Sequence, residues 1–268
     1  MRIDYHTHHE RCGHARGRLA DYVEAAIAAN LEEIGLSDHS PIYHLEKSQY
    51  PRPEPQPAME RAELPAYIDE MLAIRARFGD RIGVRLGVES DYIDGWAGHY
   101  RRLWRSYALD YVIGSIHWLG AWSIFDPVPP AGQTEASVLE AYFAATRQAA
   151  RSGIFQIIGH IDCIKTSGTL EVGATPLAIR TIKTLAECDV AVELNTSGWR
   201  KRCGECYPSP ALLEICHHYR VAVTIGSDAH APDEVGAGLE RAVRLLKEIG
   251  YREVATFSAG KRTMVPLE

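Results

Sequence analysis

The segment Arg2-Ile-Asp-Tyr-His-Thr-His8 begins with an apolar run and ends in two histidines, and this arrangement recurs along the chain. Five more short apolar runs, rich in β-branched residues, each end in a residue of the type that binds metals. They lie before Ser37-Asp-His39, Glu89, His117, His160 and Asp228. Such runs, separated by helical stretches, are typical of buried parallel strands. A ligand-type residue at each carboxyl end predicts one metal centre at the mouth of an α/β barrel.

Helical patterns alternate with these strands. Helices are predicted over 19–30, 63–78, 98–106, 134–152, 176–187, 209–219 and 233–249, and a strand without a metal-type residue at its end over 190–194. The pattern indicates seven parallel strands with a short eighth candidate at 254–257, and a short extra strand within 119–125. A barrel of about seven units is favoured over an open doubly wound sheet, within one domain over 1–268.

Composition favours an enzyme that acts on small molecules. The 268 residues are 46% hydrophobic, enough for a sizeable core, and the formal charge of −6 gives no general attraction to nucleic acid. The chain has neither a secretory signal pattern nor an apolar stretch of membrane-spanning length. We therefore expect a cytoplasmic protein with a small-molecule substrate and without a nucleic-acid or membrane partner.

Two loops stand out. The segment 40–62 carries five prolines, which exclude regular helix or central strand, and it is interpreted as a partial lid over the barrel mouth or as a plain surface loop. Cys203-Gly-Glu-Cys206 is interpreted as a turn with two thiols, because a structural zinc site normally needs a second ligand pair. A disulfide or an isolated metal contact remains the alternative there.

The strand ends supply the ligands of a metal cluster. Side chains two apart on a strand share a face, so His6 pairs with His8 and Asp228 with His230, whereas His9 falls on the opposite face. Neutral imidazoles suit zinc, iron and manganese, and carboxylates can bridge two ions. The candidate ligands are His6, His8, His14, His39, Glu89, His117, His160, Asp228 and His230.

The motifs that carry these residues resemble those of the polymerase and histidinol phosphatase (PHP) family over nearly the whole chain. They are Asp4-Tyr-His-Thr-His8, Cys12-Gly-His14, Ser37-Asp-His39, Gly87-Val-Glu89, Gly114-Ser-Ile-His117, Gly159-His160-Ile-Asp162 and Gly226-Ser-Asp-Ala-His230. Glu193-Leu-Asn-Thr-Ser-Gly198 with Arg200, and Tyr207-Pro-Ser209, are similar to the histidinol-phosphatase branch. Trp199 and the stretch around Cys203 depart from that branch, which bears on substrate preference.

The resemblance implies a distorted (β/α)7 barrel with three divalent or transition metal ions, zinc, iron or manganese. By that analogy His6, His8, Glu89 and Asp228 hold the first ion. Glu89 bridges to a second ion held by His117 and His160, and His14, His39 and His230 hold the third. The implied activity is hydrolysis of L-histidinol phosphate to L-histidinol and phosphate in histidine biosynthesis.

The chemistry of such a site follows from general principles. Cations screen the phosphate and lower the pKa of a water, so that hydroxide attacks phosphorus, with Glu89, Asp228 and His230 as catalytic residues. Asp228 is also a candidate for the acid that protonates the leaving group.

For phosphate binding, Arg200 is the first candidate because its guanidinium matches phosphate oxygens. Lys165 is the second, with Ser197 beside them, while Lys201 and Arg202 are expected to be more solvated. The alternatives are a nuclease or other phosphoesterase on the same barrel, and a non-catalytic metal-binding module. The proline-rich segment and Trp199 would crowd a nucleic-acid strand, which favours a small phosphomonoester.

Overall fold

Strands and helices alternate along the described residues, 1–49, 57–126, 128–168, 170 and 172–267 of a computed structural model. The strands are β1 (Ile3–Asp4), β2 (Glu33–Leu36), β3 (Gly83–Leu86), β4 (Glu89–Asp91), β5 (Ile113–Ser115), β6 (Trp118–Leu119), β7 (Trp122–Ser123), β8 (Ile157–Ile158), β9 (Ala191–Asn195), β10 (Val223–Gly226), β11 (Glu253–Ser258) and β12 (Lys261–Pro266). The helices are α1 (Leu19–Ala28), α2 (Leu64–Phe78), α3 (Ala97–Arg105), α4 (Glu135–Arg151), α5 (Pro176–Glu187), α6 (Pro210–His218) and α7 (Leu239–Ile249).

Two parallel sheets, β1-β2-β3 and β10-β9-β8-β5-β4, close into one barrel. On one side Glu89 forms a parallel bridge to His39, just beyond β2. On the other side β1 meets β10, where the Tyr5 amide donates to the Ile225 carbonyl at 2.9 Å. Because β3 and β4 are two halves of one predicted strand, the barrel has seven strand positions. The predicted (β/α)7 barrel is confirmed.

The eighth candidate at 254–257 does form a strand, but it is not an eighth parallel strand of the barrel. Residues 254–257 belong to β11, which pairs antiparallel with β12. The reason is the two-residue connection, in which Ala259 and Gly260 both have positive φ, 49° and 75°. Such a turn matches the twist of a hairpin and reverses the chain at once. The hairpin is anchored to the barrel because the Phe257 amide donates to the Tyr5 hydroxyl at 3.0 Å.

Smaller differences also have local causes. The expected extra strand is the hairpin of β6 and β7, which turns at Gly120 with φ of 64°. Helix α7 begins six residues later than the predicted start at 233, because Gly236 and Gly238 have positive φ of 71° and 79°, which a helix does not allow. Helix α4 begins at Glu135, directly after the expected capping residue Thr134, whose side chain accepts from the Ser137 amide at 3.2 Å.

The proline-rich segment is described only at its two ends, 40–49 and 57–62. The regular structure there consists of single 3-10 turns at Lys47–Gln49 and, running one residue beyond the segment, Arg61–Glu63. Residues 50–56, which carry three of the five prolines of the predicted lid, lie outside the described residues. None of the helices in the described part of the chain is long and apolar enough to cross a membrane.

Candidate metal centre

All nine predicted ligands meet at the carboxyl ends of the barrel strands. His6 and His8 follow β1, His39 follows β2, Glu89 begins β4, His117 follows β5, His160 follows β8, Asp228 and His230 follow β10, and His14 lies in the loop before α1. The rings pack closely: the centroid of His8 is 4.1 Å from that of His39 and 4.3 Å from that of His230. The His14 centroid is 5.1 Å from His39 and 5.0 Å from His230. The structure thus brings the nine residues into one cluster.

Two of these residues have an unusual backbone conformation. His160 has φ of 22° and Asp228 has φ of 54°, in the region that residues other than glycine rarely adopt. Strain of this kind persists only when the surrounding structure holds it, and it concentrates at functional sites. Both strained residues direct their side chains into the cluster, where His160 contacts Glu89 and Asp228 contacts His8.

Glu89 is buried at the centre of the cluster, and each of its oxygens faces imidazole nitrogens from more than one strand. Oε1 lies 2.9 Å from His160 Nε2 and 3.5 Å from His117 Nε2, and Oε2 lies 2.7 Å from His39 Nδ1, 3.5 Å from His6 Nε2 and 3.7 Å from His8 Nε2. Burial alone would raise the pKa of Glu89, but the imidazoles of His39 and His117 outweigh it and hold that pKa well below its usual value. Glu89 therefore has the position and charge of a bridging carboxylate.

The donor set fits metal ions. Four overlapping sets have ligand atoms within 4.8 Å of one another: His6, His8 and Asp228; His6, Glu89 and His160; His39, Glu89 and His117; and His8, His39 and His230. Within the described part of the chain, His6 Nε2, His8 Nε2 and Glu89 Oε2 are buried and have no partner in hydrogen-bond geometry, although His39 Nδ1 lies 2.7 Å from Glu89 Oε2 and Asp228 Oδ1 lies 3.0 Å from His8 Nε2. Buried polar atoms normally have partners, and metal ions between these atoms would supply them.

The histidine tautomers support the same conclusion. His14 Nδ1 lies 3.0 Å from the Cys12 carbonyl oxygen, and His230 Nδ1 lies 3.0 Å from the Asp228 carbonyl oxygen. A carbonyl oxygen only accepts, so each Nδ1 carries the hydrogen and donates it. The lone pair is then on Nε2 of both rings, where a metal ligand needs it.

Three carboxylates that the sequence analysis missed hold the outer nitrogens of other histidines. Glu193 Oε1 lies 2.7 Å from His6 Nδ1, Asp38 Oδ1 lies 3.3 Å from His8 Nδ1, and Asp91 Oδ1 lies 3.2 Å from His117 Nδ1. Carboxylates in this position fix the tautomer and orientation of metal-binding histidines. Asp38 also pairs with His9, the buried ring on the opposite strand face, so it links two neighbouring imidazoles.

A sequence signal for these carboxylates existed. Asp38 and Asp91 lie one and two positions from predicted ligands, His39 and Glu89. Glu193 lies in β9, the barrel strand for which no ligand was predicted, and its charge in a buried strand needed a partner. The hydrogen-bond partners of the candidate ligands therefore lie in strands or directly after them, at positions that the search for ligands passed over.

A cavity of about 250 Å³ opens over the cluster. In addition to metal-type ligands, it is lined by Phe125, Cys163, Thr166, Ser197, Lys201 and Tyr207. Ser197, one of the predicted substrate-binding residues, donates from Oγ to Asp228 Oδ2 at 3.1 Å. A small polar molecule in this cavity would contact the cluster directly.

The predicted phosphate-binding residue Arg200 lies beside the cavity and is engaged by protein groups. Its Nη2 donates to the Ser227 carbonyl at 2.9 Å, and its Nε lies 3.7 Å from Glu234 Oε1. Lys201, expected to be merely solvated, is exposed and lines the cavity. Among the described lysines and arginines it is the one in the cavity wall.

Lys165, the second predicted cation, is buried. Its Nζ lies 2.8 Å from Asp162 Oδ2 and donates to Glu205 Oε2 at 3.0 Å. Burial would lower the pKa of Lys165, but the charge of Asp162 outweighs it and raises that pKa. Lys165 is thus an ion-paired lysine behind the cavity wall.

Trp199 and the stretch around Cys203, which depart from the histidinol-phosphatase branch, both lie in the segment between β9 and α6. Cys203 and Cys206 are free thiols; Cys203 Sγ lies 3.4 Å from the Tyr207 hydroxyl oxygen, and Cys206 Sγ donates to the Pro208 carbonyl at 3.1 Å. Trp199 packs under the Arg241 guanidinium, 4.2 Å from the ring centroid. It is not among the described residues that line the cavity.

Comparison with known proteins places this centre in a family context. The PHP domain model matches residues 4–197. A probable histidinol-phosphatase from Deinococcus radiodurans is 36% identical over 255 residues, which cover 94% of this chain and 95% of that protein. The histidinol-phosphatase of Lactococcus lactis subsp. lactis is 24% identical over 269 residues, which cover 97% and 96%.

Solved structures agree on the fold. A crystal structure of histidinol phosphate phosphatase from Lactococcus lactis subsp. lactis, complexed with zinc, L-histidinol and phosphate, matches with a TM-score of 0.82 over 98% of both chains, at 23% identity. The likeness to the histidinol-phosphatase branch that the motifs indicated is confirmed by these relatives. From the family model and the Deinococcus relative together, it follows that this chain belongs to the PHP domain family.

Proposed function

We propose that this protein is a metal-dependent phosphomonoesterase that hydrolyses L-histidinol phosphate to L-histidinol and phosphate. The observation that carries the proposal is the buried Glu89 carboxylate, whose two oxygens face five imidazoles from the ends of four strands. This arrangement suits a multinuclear centre that activates water next to a phosphate. The substrate follows from the two relatives, a probable histidinol-phosphatase and a histidinol-phosphatase. Each of them matches this chain over nearly its whole length.

The proposed ligands form three groups around Glu89. His6, His8, Glu89 and Asp228 would hold one ion, Glu89, His117 and His160 a second, and His14, His39 and His230 a third. When bound, the ions would screen the phosphate charge and lower the pKa of a water so that hydroxide is available near neutral pH. We propose three ions, with zinc, iron and manganese as candidates.

The remaining groups orient the reactants. Asp228 is held by Ser197 Oγ at 3.1 Å and by Asn195 Nδ2 at 3.3 Å, so its carboxylate is fixed beside the cluster. In this proposal Asp228 orients the attacking water. His230 presents Nε2 to the same region, because its Nδ1 is bound to a backbone carbonyl.

Positive charge for the phosphate comes from the loop after β9. Lys201 lines the cavity, and Arg200 lies one residue away with its guanidinium on the Ser227 carbonyl. We propose that both assist phosphate binding, Lys201 from its present position and Arg200 after exchanging its carbonyl for a phosphate oxygen. Lys165 is held in an ion pair with Asp162 and supports the wall behind them.

The test is turnover by the purified protein with known metal content. Histidinol phosphate should exceed a generic aryl phosphate in kcat/KM by about a hundredfold, because a site that pairs polar groups of a substrate discriminates strongly. His117→Ala should lose orders of magnitude in turnover and serves as the control for a contaminating phosphatase. Arg200→Ala and Lys201→Ala should each weaken substrate use with unchanged metal content. Equal efficiency on both esters, or faster cleavage of phosphodiesters, would refute the assignment.

A further inference from the structure

Phe125 is an aromatic side chain left open to the cavity. It lines the cavity over the cluster, yet 52% of it is exposed. Leu72, 39% exposed, and Val128, 74% exposed, are the other exposed large hydrophobic residues in the described part of the chain, and Val128 lies on the same loop. Most phenylalanines are buried, and exposed apolar surface beside a pocket is typical of a binding surface.

The backbone around Phe125 is held in place, although the ring is open. The Ile124 amide donates to the His117 carbonyl at 3.0 Å, which ties the loop to a predicted metal ligand. The Phe125 amide donates to Ser123 Oγ at 3.3 Å, and Trp122 Nε1 donates to the Val128 carbonyl at 3.0 Å. The loop therefore presents the ring from an anchored position, with its centroid 5.5 Å from that of His117.

The rest of the cavity wall offers no equivalent surface among the described residues. Tyr207 is the other non-histidine aromatic residue there, but only 2% of it is exposed, and its hydroxyl donates to Thr166 Oγ1 at 2.8 Å. The remaining walls are imidazoles, carboxylates, hydroxyls, a thiol and a lysine. One side of a polar, metal-type site is thus formed by an apolar ring.

We propose that Phe125 recognises the organic end of the substrate by stacking on its imidazole ring while the phosphate lies over the Glu89 cluster. This inference rests on the proposed function. An aromatic face attracts a flat ring in an offset or edge arrangement, and more strongly when that ring or a nearby amine is positively charged. Histidinol phosphate carries both an imidazole and an amine. A single aromatic residue can therefore discriminate it from phosphate esters that have no ring.

The experiment compares kcat/KM for histidinol phosphate and for glycerol 3-phosphate in the metal-loaded protein. Phe125→Ala should lower the value for histidinol phosphate by about tenfold, as expected for one aromatic contact, and change that for glycerol 3-phosphate less than about twofold. Phe125→Tyr should retain the wild-type ratio. Inhibition by the product histidinol should weaken in Phe125→Ala by a similar factor. Leu72 is an exposed apolar residue on α2, and Leu72→Ala is the matched control. This variant should change kcat/KM for neither substrate.

The outcomes separate the two proposals. If wild type does not prefer histidinol phosphate, the proposed function fails, and the role of Phe125 fails with it. If wild type prefers it and Phe125→Ala keeps the same ratio and the same inhibition by histidinol, the function stands and the role of Phe125 is refuted. An equal loss of kcat/KM for both substrates also refutes this role, since Phe125 would then support the site without contacting the imidazole ring of the substrate.

Discussion

At the scale of single residues, the site depends on the carboxylates that hold the imidazoles as well as on the imidazoles. Glu193 is an example. Its Oε1 faces His6 Nδ1 at 2.7 Å, while its Oε2 accepts from the His160 amide at 3.0 Å and from Asn195 Nδ2 at 3.1 Å. Gly226 approaches so closely that a Cβ there would overlap the Glu193 carboxylate. One buried side chain thus positions two proposed ligands from different strands.

Glu193→Gln should weaken metal binding by about 10- to 100-fold, because an amide loses the charge and one of the two acceptor oxygens. Turnover should recover substantially at saturating metal, since the ligands themselves remain. The measurement is metal content after dialysis against buffers of graded free zinc. Glu214→Gln, at an exposed position on α6, is the matched control. Unchanged metal affinity in Glu193→Gln would show that Glu193 does not orient the ligands.

At the scale of elements, small residues let the strands surround a large side chain. Gly35 lies in β2 and Gly87 just after β3, and a Cβ on either would overlap the Tyr111 side chain. Tyr111 is fully buried, and its hydroxyl donates to the Tyr5 carbonyl at 2.6 Å. The packing of Tyr111 therefore requires glycine on two neighbouring strands.

Gly35→Ala should destabilise the protein by about 1–3 kcal/mol, because the added methyl group overpacks a buried site that is bounded by backbone. Chemical denaturation of the metal-free protein would measure the change in the free energy of unfolding. Gly173→Ala is the control, since no atom lies within 4 Å of a Cβ built there, and it should be close to neutral. Equal stability of the two variants would contradict this view of the packing.

At the scale of the whole molecule, the candidate ligands lie where the barrel closes. The Asp228 amide donates to the His6 carbonyl at 2.8 Å, and the His8 amide donates to the Ala229 carbonyl at 2.8 Å, so the first and last barrel strands meet at the cluster. Ligands from both strands would bind the same ion. A bound ion should therefore hold the barrel closed.

Removal of metal by a chelator should lower Tm by about 5–10 °C. A ligand present at a hundred times its Kd stabilises the folded state by about 2.7 kcal/mol, and each kcal/mol shifts Tm by about 2–4 °C in a domain of this size. Far-UV circular dichroism at 25 °C should stay unchanged, because the hydrophobic core is independent of the ions. Calorimetry before and after readdition of zinc makes the comparison. An identical Tm in both states would exclude a stabilising metal centre.

Local sequence determined the alternation of elements and the candidate ligands. The run before His117 and the helix over 176–187 are recognisable from residues that are neighbours in the chain, because strand and helix periods are local properties. The same holds for His6 and His8, whose residue types and strand-end positions indicate metal binding without any knowledge of the fold.

Tertiary structure decided what depends on residues that are distant in sequence. Glu193 lies 187 positions from His6, so no local pattern pairs them. The side chain of Lys201, and not that of its neighbour Arg200, reaches the cavity, because Arg200 is held by the Ser227 carbonyl. Contacts of this kind form only when the barrel closes. The ligand types could therefore be predicted from the sequence, whereas the pairing of each carboxylate with its histidine, and the residues of the cavity wall, could not.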